Sequence, residues 1–313
     1  MIFKHESVLR NEVIELLNIK QDGLYVDGTL GGGGHSFQIA SRLSDKGHVL
    51  CIDQDEEAIE AARKHLRVYE DRTTLVHDNF VNFDRVMDEY GYSLADGFLL
   101  DLGVSSYQLD NAERGFSYMT DAPLDMRMDR TSGVSARTLL NSLSEEELTS
   151  ILYEYGEERF APQIARLIVK KRQISPLETT GELAGIIREA IPKRMQEKGG
   201  NPCKRTFQAV RIACNRELDV LSEALDKMVD RLAPEGRIAV ITFHSLEDRI
   251  VKNAFKKFED PCTCPPEFPV CVCGKKSKGK VITRKPVTPT KEELEHNPRA
   301  ASAKLRVFEK VKL

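Results

Sequence analysis

The stretch Leu24-Tyr-Val-Asp27-Gly-Thr-Leu-Gly31-Gly32-Gly33-Gly34-His35 reads as a short apolar strand running into a glycine-rich turn. Phe37, Ile39, Ala40 and Leu43 follow at helical spacing. Working outward, residues 49–53 predict a second buried strand. Residues 56–66 predict a helix with Ala58, Ile59, Ala62 and Leu66 on one face. Residues 74–77 and 97–102 predict a third and a fourth strand. Strands alternating with helices at this spacing imply βαβ units and a parallel sheet.

The alternation stops after Tyr107. Between there and Arg205 no strand is convincing. Ser144-Glu-Glu-Glu147 is a capping box that opens a helix carrying Leu148, Ile151 and Leu152. Residues 161–172 and 180–191 are helical by spacing, so residues 110–205 predict a helical insertion. Residues 206–232 predict one long helix, stopped by Ala233-Pro-Glu-Gly236, and residues 237–243 a fifth strand. Residues 280–284 and 304–308 predict a pair of antiparallel edge strands. Three parts follow: 1–109, 110–205 and 206–313.

The 313 residues are 41% hydrophobic and 30% charged, an ordinary globular balance that argues against global disorder. No run of about 18 apolar residues occurs, so no membrane partner is expected. The N-terminal residues carry no apolar stretch behind a basic one, so the expected location is cytoplasmic. The net charge of −3 hides an asymmetry: residues 252–313 hold 15 basic against 7 acidic residues, while 1–251 hold 31 against 42. A basic end on an acidic body points to a polyanion or to a solvated charged tail. Of seven cysteines, Cys262, Cys264, Cys271 and Cys273 cluster. A disulfide framework is not expected in a reducing compartment.

The glycine turn lets backbone approach a ligand closely and offers the free N–H groups of a helix start. A tight packing turn reads the same way. Neither a P-loop nor G-x-G-x-x-G is present, which disfavours dinucleotide binding. Asp53 ends the second strand, where an acid meets a ribose in doubly wound sheets; Asp55 reads as an N-cap. Asp78-Asn79-Phe80 ends the third strand and Asp101-Leu-Gly-Val-Ser-Ser106 the fourth. Ligands in such sheets bind at these carboxyl ends.

The segments Asp27-Gly-Thr-Leu-Gly-Gly-Gly-Gly-His-Ser36, Asp101-Leu-Gly-Val-Ser-Ser106, Phe243-His-Ser-Leu-Glu-Asp-Arg249 and Asn297-Pro-Arg-Ala-Ala-Ser-Ala-Lys-Leu-Arg306 lie in order across nearly the whole chain. Together they closely resemble the bacterial 16S ribosomal RNA cytosine-N4 methyltransferase family. That resemblance implies a Rossmann-like class I methyltransferase sheet with an inserted all-helical domain that recognises substrate. It implies S-adenosylmethionine as cofactor and a cytidine N4 in the decoding region of 16S rRNA, in the small ribosomal subunit, as methyl acceptor. By the same resemblance Gly33, Gly34 and His35 contact the methionine portion and Asp53 the ribose hydroxyls. Phe80 lies beside the adenine, and Asp101 and Gln108 complete the pocket.

Cytosine N4 is a poor nucleophile because its lone pair is delocalised into the ring. An acceptor for an N4 hydrogen would help, and Asp101 is the catalytic candidate. DNA amino methyltransferases place a Pro-Pro-aromatic motif here that this chain lacks, which leaves Ser105, Ser106 and His244 as alternatives. RNA contacts are expected from Lys193, Arg194, Lys198, Lys204 and Arg205, and from residues 275–285, Arg299, Lys304 and Arg306. The pattern Cys262-x-Cys264-x6-Cys271-x-Cys273 suits one structural zinc ion or a reduced loop. A homodimer is left open. The rival functions are a DNA amino methyltransferase and a non-catalytic RNA-binding factor.

Overall fold

The computed structural model describes residues 7–196, 200–265, 270 and 272–312. The chain divides into two compact units, Met1–Gly103 with Leu218–Leu313, and Val104–Glu217.

The first unit is built on a seven-stranded sheet. Its strands are β1 (Leu24–Asp27), β2 (His48–Asp53), β3 (Thr73–His77), β4 (Ala95–Asp101), β5 (Leu232–Thr242), β6 (Gly279–Val281) and β7 (Lys304–Lys310). The order across the sheet is β3-β2-β1-β4-β5-β7-β6. Strands β1 to β5 are parallel, whereas β7 runs antiparallel to both β5 and β6. β7 is therefore an interior strand, not an edge as the sequence suggested. Leu305, Val307 and Phe308 explain this: all three are fully buried, and an exposed edge would leave one face of them wet.

Alternate residues of each strand feed two separate cores, as the two-residue strand period requires. Leu24, Val26, Leu50, Ile52, Phe98, Leu100, Ile238 and Val240 face one core, with Val86, Leu225, Met228, Val251 and Phe255 from covering helices. Tyr25, Val49, Cys51, Leu99, Ala239 and Ile241 face the other, with Val13, Leu17, Ile39, Ile59 and Ala62. Both faces are covered, so the parallel strands read as continuous apolar runs. β1 to β4 start within a residue or two of their expected positions. β5 starts five residues early because Leu232 pairs with Ala95 ahead of a register shift.

The regular elements of the second unit are helical among the described residues: Ser106–Asp110, Ala136–Ser142, Glu145–Gly156, Ala161–Arg172, Thr180–Ala190, Lys193–Gln196 and Cys203–Asn215. One isolated bridge joins Pro123 and Thr179. Ser144 with Glu147 forms the capping box read from sequence, and Thr179 with Glu182 forms another. Leu148, Leu152, Ile164, Ile168, Leu183, Ile187, Phe207 and Val210 make a core of the unit's own.

The single helix expected over 206–232 is two. Arg216 adopts a left-handed φ of 50°, ending Cys203–Asn215, and Glu217–Arg231 begins afresh. The change of unit falls at this break.

Candidate functional site

The carboxyl ends of β1, β2 and β4 bring three acids together around the glycine turn. Asp27 is buried; its Oδ2 accepts from Ser36 Oγ at 2.6 Å and its Oδ1 from the Thr29 N–H at 3.1 Å. Burial pushes its pKa up to about 6 against these two hydrogen bonds. Asp27 is thus the brace between strand and turn. Ser36 and Thr29 are site-shaping residues that sequence reasoning passed over; their offsets of nine and two residues from Asp27 are the only signal.

The turn itself is threaded by backbone bonds. The Gly28 N–H donates to Leu99 O at 3.0 Å and the Leu30 N–H to Ile52 O at 3.1 Å, which ties the turn across two strands. Gly33 is the N-cap of the helix Gly34–Ala40 with a φ of 80°, where a side chain would be strained. Gly28 allows a close approach. A Cβ there would stand 2.9 Å from Phe80 Cβ and 2.7 Å from Leu100 Cδ2. Gly32 differs, because no described residue lies within 4 Å of the Cβ it lacks. Among the described residues, that side of the turn is open at Gly32.

Asp53 Oδ2 accepts from the Gly31 N–H at 2.7 Å, and Oδ1 from the Asp55 N–H at 2.9 Å. Its carboxylate is only partly buried, and each oxygen keeps a second lone pair. Desolvation raises its pKa to about 6. Asp55 is the N-cap of Glu56–His65, accepting from the Glu57 N–H, as its position suggested. At the end of β3, Asp78 Oδ1 accepts from the Asn79 N–H and from Asn82 Nδ2, both at 2.7 Å, and the carboxylate pairs with Arg85. Phe80 is 9% exposed and packs in the core beneath the β1 turn.

Asp101 closes β4. The Asp101 N–H donates to Thr29 Oγ1 at 2.6 Å, so the same turn residue serves Asp27 and Asp101. Asp101 Oδ2 lies 3.6 Å from His35 Nε2, in the first turn of the glycine-turn helix. Asp101 Oδ1 is buried and has no hydrogen-bond partner among the described residues. Burial, then the nearby Asp27 and Glu247 carboxyls, push the Asp101 pKa up to about 8. An acid in this state is neutral at pH 7 and ionises readily when a positive charge arrives.

His244, an alternative acceptor from sequence, is the N-cap of Ser245–Glu259. The Glu247 N–H donates to its Nδ1 at 3.4 Å. An accepting Nδ1 puts the ring proton on Nε2, which sits 3.1 Å from Glu247 Oε1. Glu247 Oε2 in turn accepts from the N–H groups of Phe243 and His244. His244 is therefore held by a capping box, a pattern visible in the spacing His244-x-x-Glu247. Ser105 and Gln108 belong to the helical unit, where they form a capping box of their own.

Two of the expected RNA contacts are committed elsewhere. Arg306 is buried and its Nε donates to Asp248 Oδ1 at 2.6 Å, while Lys304 Nζ lies 3.3 Å from Asp248 Oδ2. Both cations anchor β7 to the helix after β5. Lys198 and Cys271 lie outside the described residues.

The family model described as the MraW methylase family matches residues 2–311. The chain belongs to this family. A ribosomal RNA small subunit methyltransferase H of Lachnospira eligens is 59% identical over 311 residues, covering 99% of each chain. A protein of the same name from Clostridium botulinum (strain Kyoto / Type A2) is 58% identical over 99% of this chain and 100% of its own. A solved rRNA methylase from Streptococcus thermophilus covers 100% of this chain and 99% of its own at 13% identity, with a TM-score of 0.43. As a MraW-family methylase the chain is a methyltransferase. Among its described residues no helix is long and apolar enough to cross a membrane.

Proposed function

We propose that the chain transfers the methyl group of S-adenosylmethionine to N4 of a cytidine in the decoding region of 16S rRNA. The names of its full-length relatives support the substrate class. The observation that carries the chemistry is the buried Oδ1 of Asp101 at the end of β4, which has no hydrogen-bond partner among the described residues.

The site's residues fit the cofactor. Asp53 offers free lone pairs for two ribose hydroxyls, and Gly33, Gly34 and His35 would meet the methionine portion. Phe80 would meet the adenine at its exposed margin. The cofactor supplies an electrophilic methyl on a positively charged sulfur. In this reading Asp101 ionises beside that charge and accepts a hydrogen bond from the cytidine N4 amine. As the N–CH3 bond forms, the methyl–sulfur bond would break to leave a neutral thioether, the N4 nitrogen would become cationic, and its proton would pass to the Asp101 carboxylate. A carboxyl whose pKa lies near working pH suits a base that must be ionised and yet take a proton. In-line alignment supplies much of the remaining rate.

The helical unit, expected over 110–205 and bounded at Val104 and Glu217, would be the inserted domain that recognises the nucleotide. Exposed Lys193, Arg194, Lys204 and Arg205 suit a phosphate surface. Tritiated methyl transfer to small-subunit particles, naked RNA and DNA tests the reading, with mass mapping of the product. Label on N4 of a cytidine in the rRNA is expected. Label on DNA alone, or none, would sink it.

A further inference from the structure

The described residues of the segment between the helix Ser245–Glu259 and β6 build no apolar core. Among its described residues from 260 to 278 none is buried, and Val270 and Val272 are exposed. Its two ends are nonetheless tied together, since the Lys278 N–H donates to Phe258 O at 2.8 Å. Described side chains without burial leave the loop in need of another source of order.

Three thiols converge inside it. The Sγ atoms of Cys262, Cys264 and Cys273 all lie within 4.8 Å of one another, and Cys262 and Cys273 are 3.9 Å apart. A disulfide would need about 2.05 Å. Four thiolates about 2.3 Å from one zinc ion form a tetrahedron whose edge is about 3.8 Å. The observed separation matches that edge. Iron–sulfur clusters spread their thiolates over several irons, which fits a close sulfur pair less well.

The surroundings are those of a thiolate site. The Val272 N–H donates to Cys264 Sγ at 3.3 Å, a bond that favours the anionic sulfur and fixes its direction. Gly274 follows Cys273 with a φ of 66°, turning the chain away from the sulfurs without strain. Exposed Lys275 and Lys276 come next and offset the negative charge of the cluster.

We propose that Cys262, Cys264 and Cys273 hold a structural Zn²⁺ that orders this loop. The fourth thiol of the pattern, Cys271, lies outside the described residues, and the three others carry the inference. The proposal is independent of the methyl-transfer site.

Full-length protein purified under reducing conditions without chelator should contain about one Zn²⁺ per chain by elemental analysis. Cys262→Ser and Cys273→Ser should each lose it, while Cys214→Ser keeps it. Co²⁺ in place of Zn²⁺ should give near-ultraviolet thiolate-to-metal charge-transfer absorption in the wild-type chain, which keeps the test sound if a variant fails to fold. Protein that stays metal-free after reconstitution with Zn²⁺, or metal retained in both serine variants, would overturn the proposal.

Discussion

His35 Nε2 stands 3.6 Å from Asp101 Oδ2 across the start of the glycine-turn helix, and both side chains are largely withdrawn from water. Asp101 therefore sits between a polar neighbour and two like-charged carboxyls, Asp27 and Glu247, which oppose its ionisation. The balance makes Asp101 responsive to any cation placed beside it.

Asp101→Asn keeps the shape and one acceptor oxygen but removes the proton-accepting charge. We expect kcat to fall by about 10²–10³-fold, the scale of losing one electrostatic stabiliser. Cofactor affinity should change less than about tenfold. Saturation kinetics with calorimetric binding decides it: a large affinity loss with kcat intact would leave Asp101 a cofactor ligand only.

The raised pKa links cofactor charge to protons. Below about pH 8 the carboxyl is protonated in the free protein. A sulfonium beside it would lower that pKa and drive the proton off. S-adenosylmethionine affinity should thus rise with pH and level off above about 8. S-adenosylhomocysteine, whose sulfur is neutral, should release fewer protons. Titration calorimetry in two buffers of different ionisation heat measures the difference. Equal proton release for both ligands would place the sulfonium away from Asp101.

Stability should depend on the same group. The unfolded chain ionises Asp101 near pH 3.9, whereas the folded one holds the proton to about 8. Between those values the folded state binds more protons, so its stability falls as pH rises and becomes flat above 8. Asp27 and Asp53, both near 6, add to the slope only at its lower end. Relative to the wild-type chain, Asp101→Asn should gain about 2–3 kcal/mol on going from pH 6 to pH 8.5. Parallel denaturation midpoints at the two pH values would contradict this.

Gly32→Ala separates ligand approach from folding. Its new methyl meets no described residue, and the backbone there needs no left-handed φ. Thermal stability should stay within about 0.5–1 kcal/mol, while cofactor affinity falls at least about tenfold if the turn's open side is the binding face. An unchanged affinity would move the cofactor off that side.

Much of this architecture was legible because parallel strands buried on both faces are short apolar runs, and each here ends on an acid or a polar group. The first four strands, the capping box at Ser144 and the N-cap at Asp55 were read from such local signals. The break at Arg216 was not, since apolar spacing continues through it from Val210 to Leu221 and no glycine marks the left-handed residue. Nor was the interior place of β7, because pairing partners 60 or more residues apart leave no local trace. At the site, the strand-end positions of Asp27, Asp53 and Asp101 were legible, whereas the hydrogen bonds of Thr29 to Asp101 and of Ser36 to Asp27 are contacts that only the fold creates.

β7 gives the sheet a late completion step. A chain stopped before Lys304 would leave the hydrogen-bonding edge of β5 bare and Phe255 and Phe258 without the Phe308 ring they pack against. Such an edge is a template for pairing with other chains. Chains truncated there should thus be sticky and conspicuous to proteases.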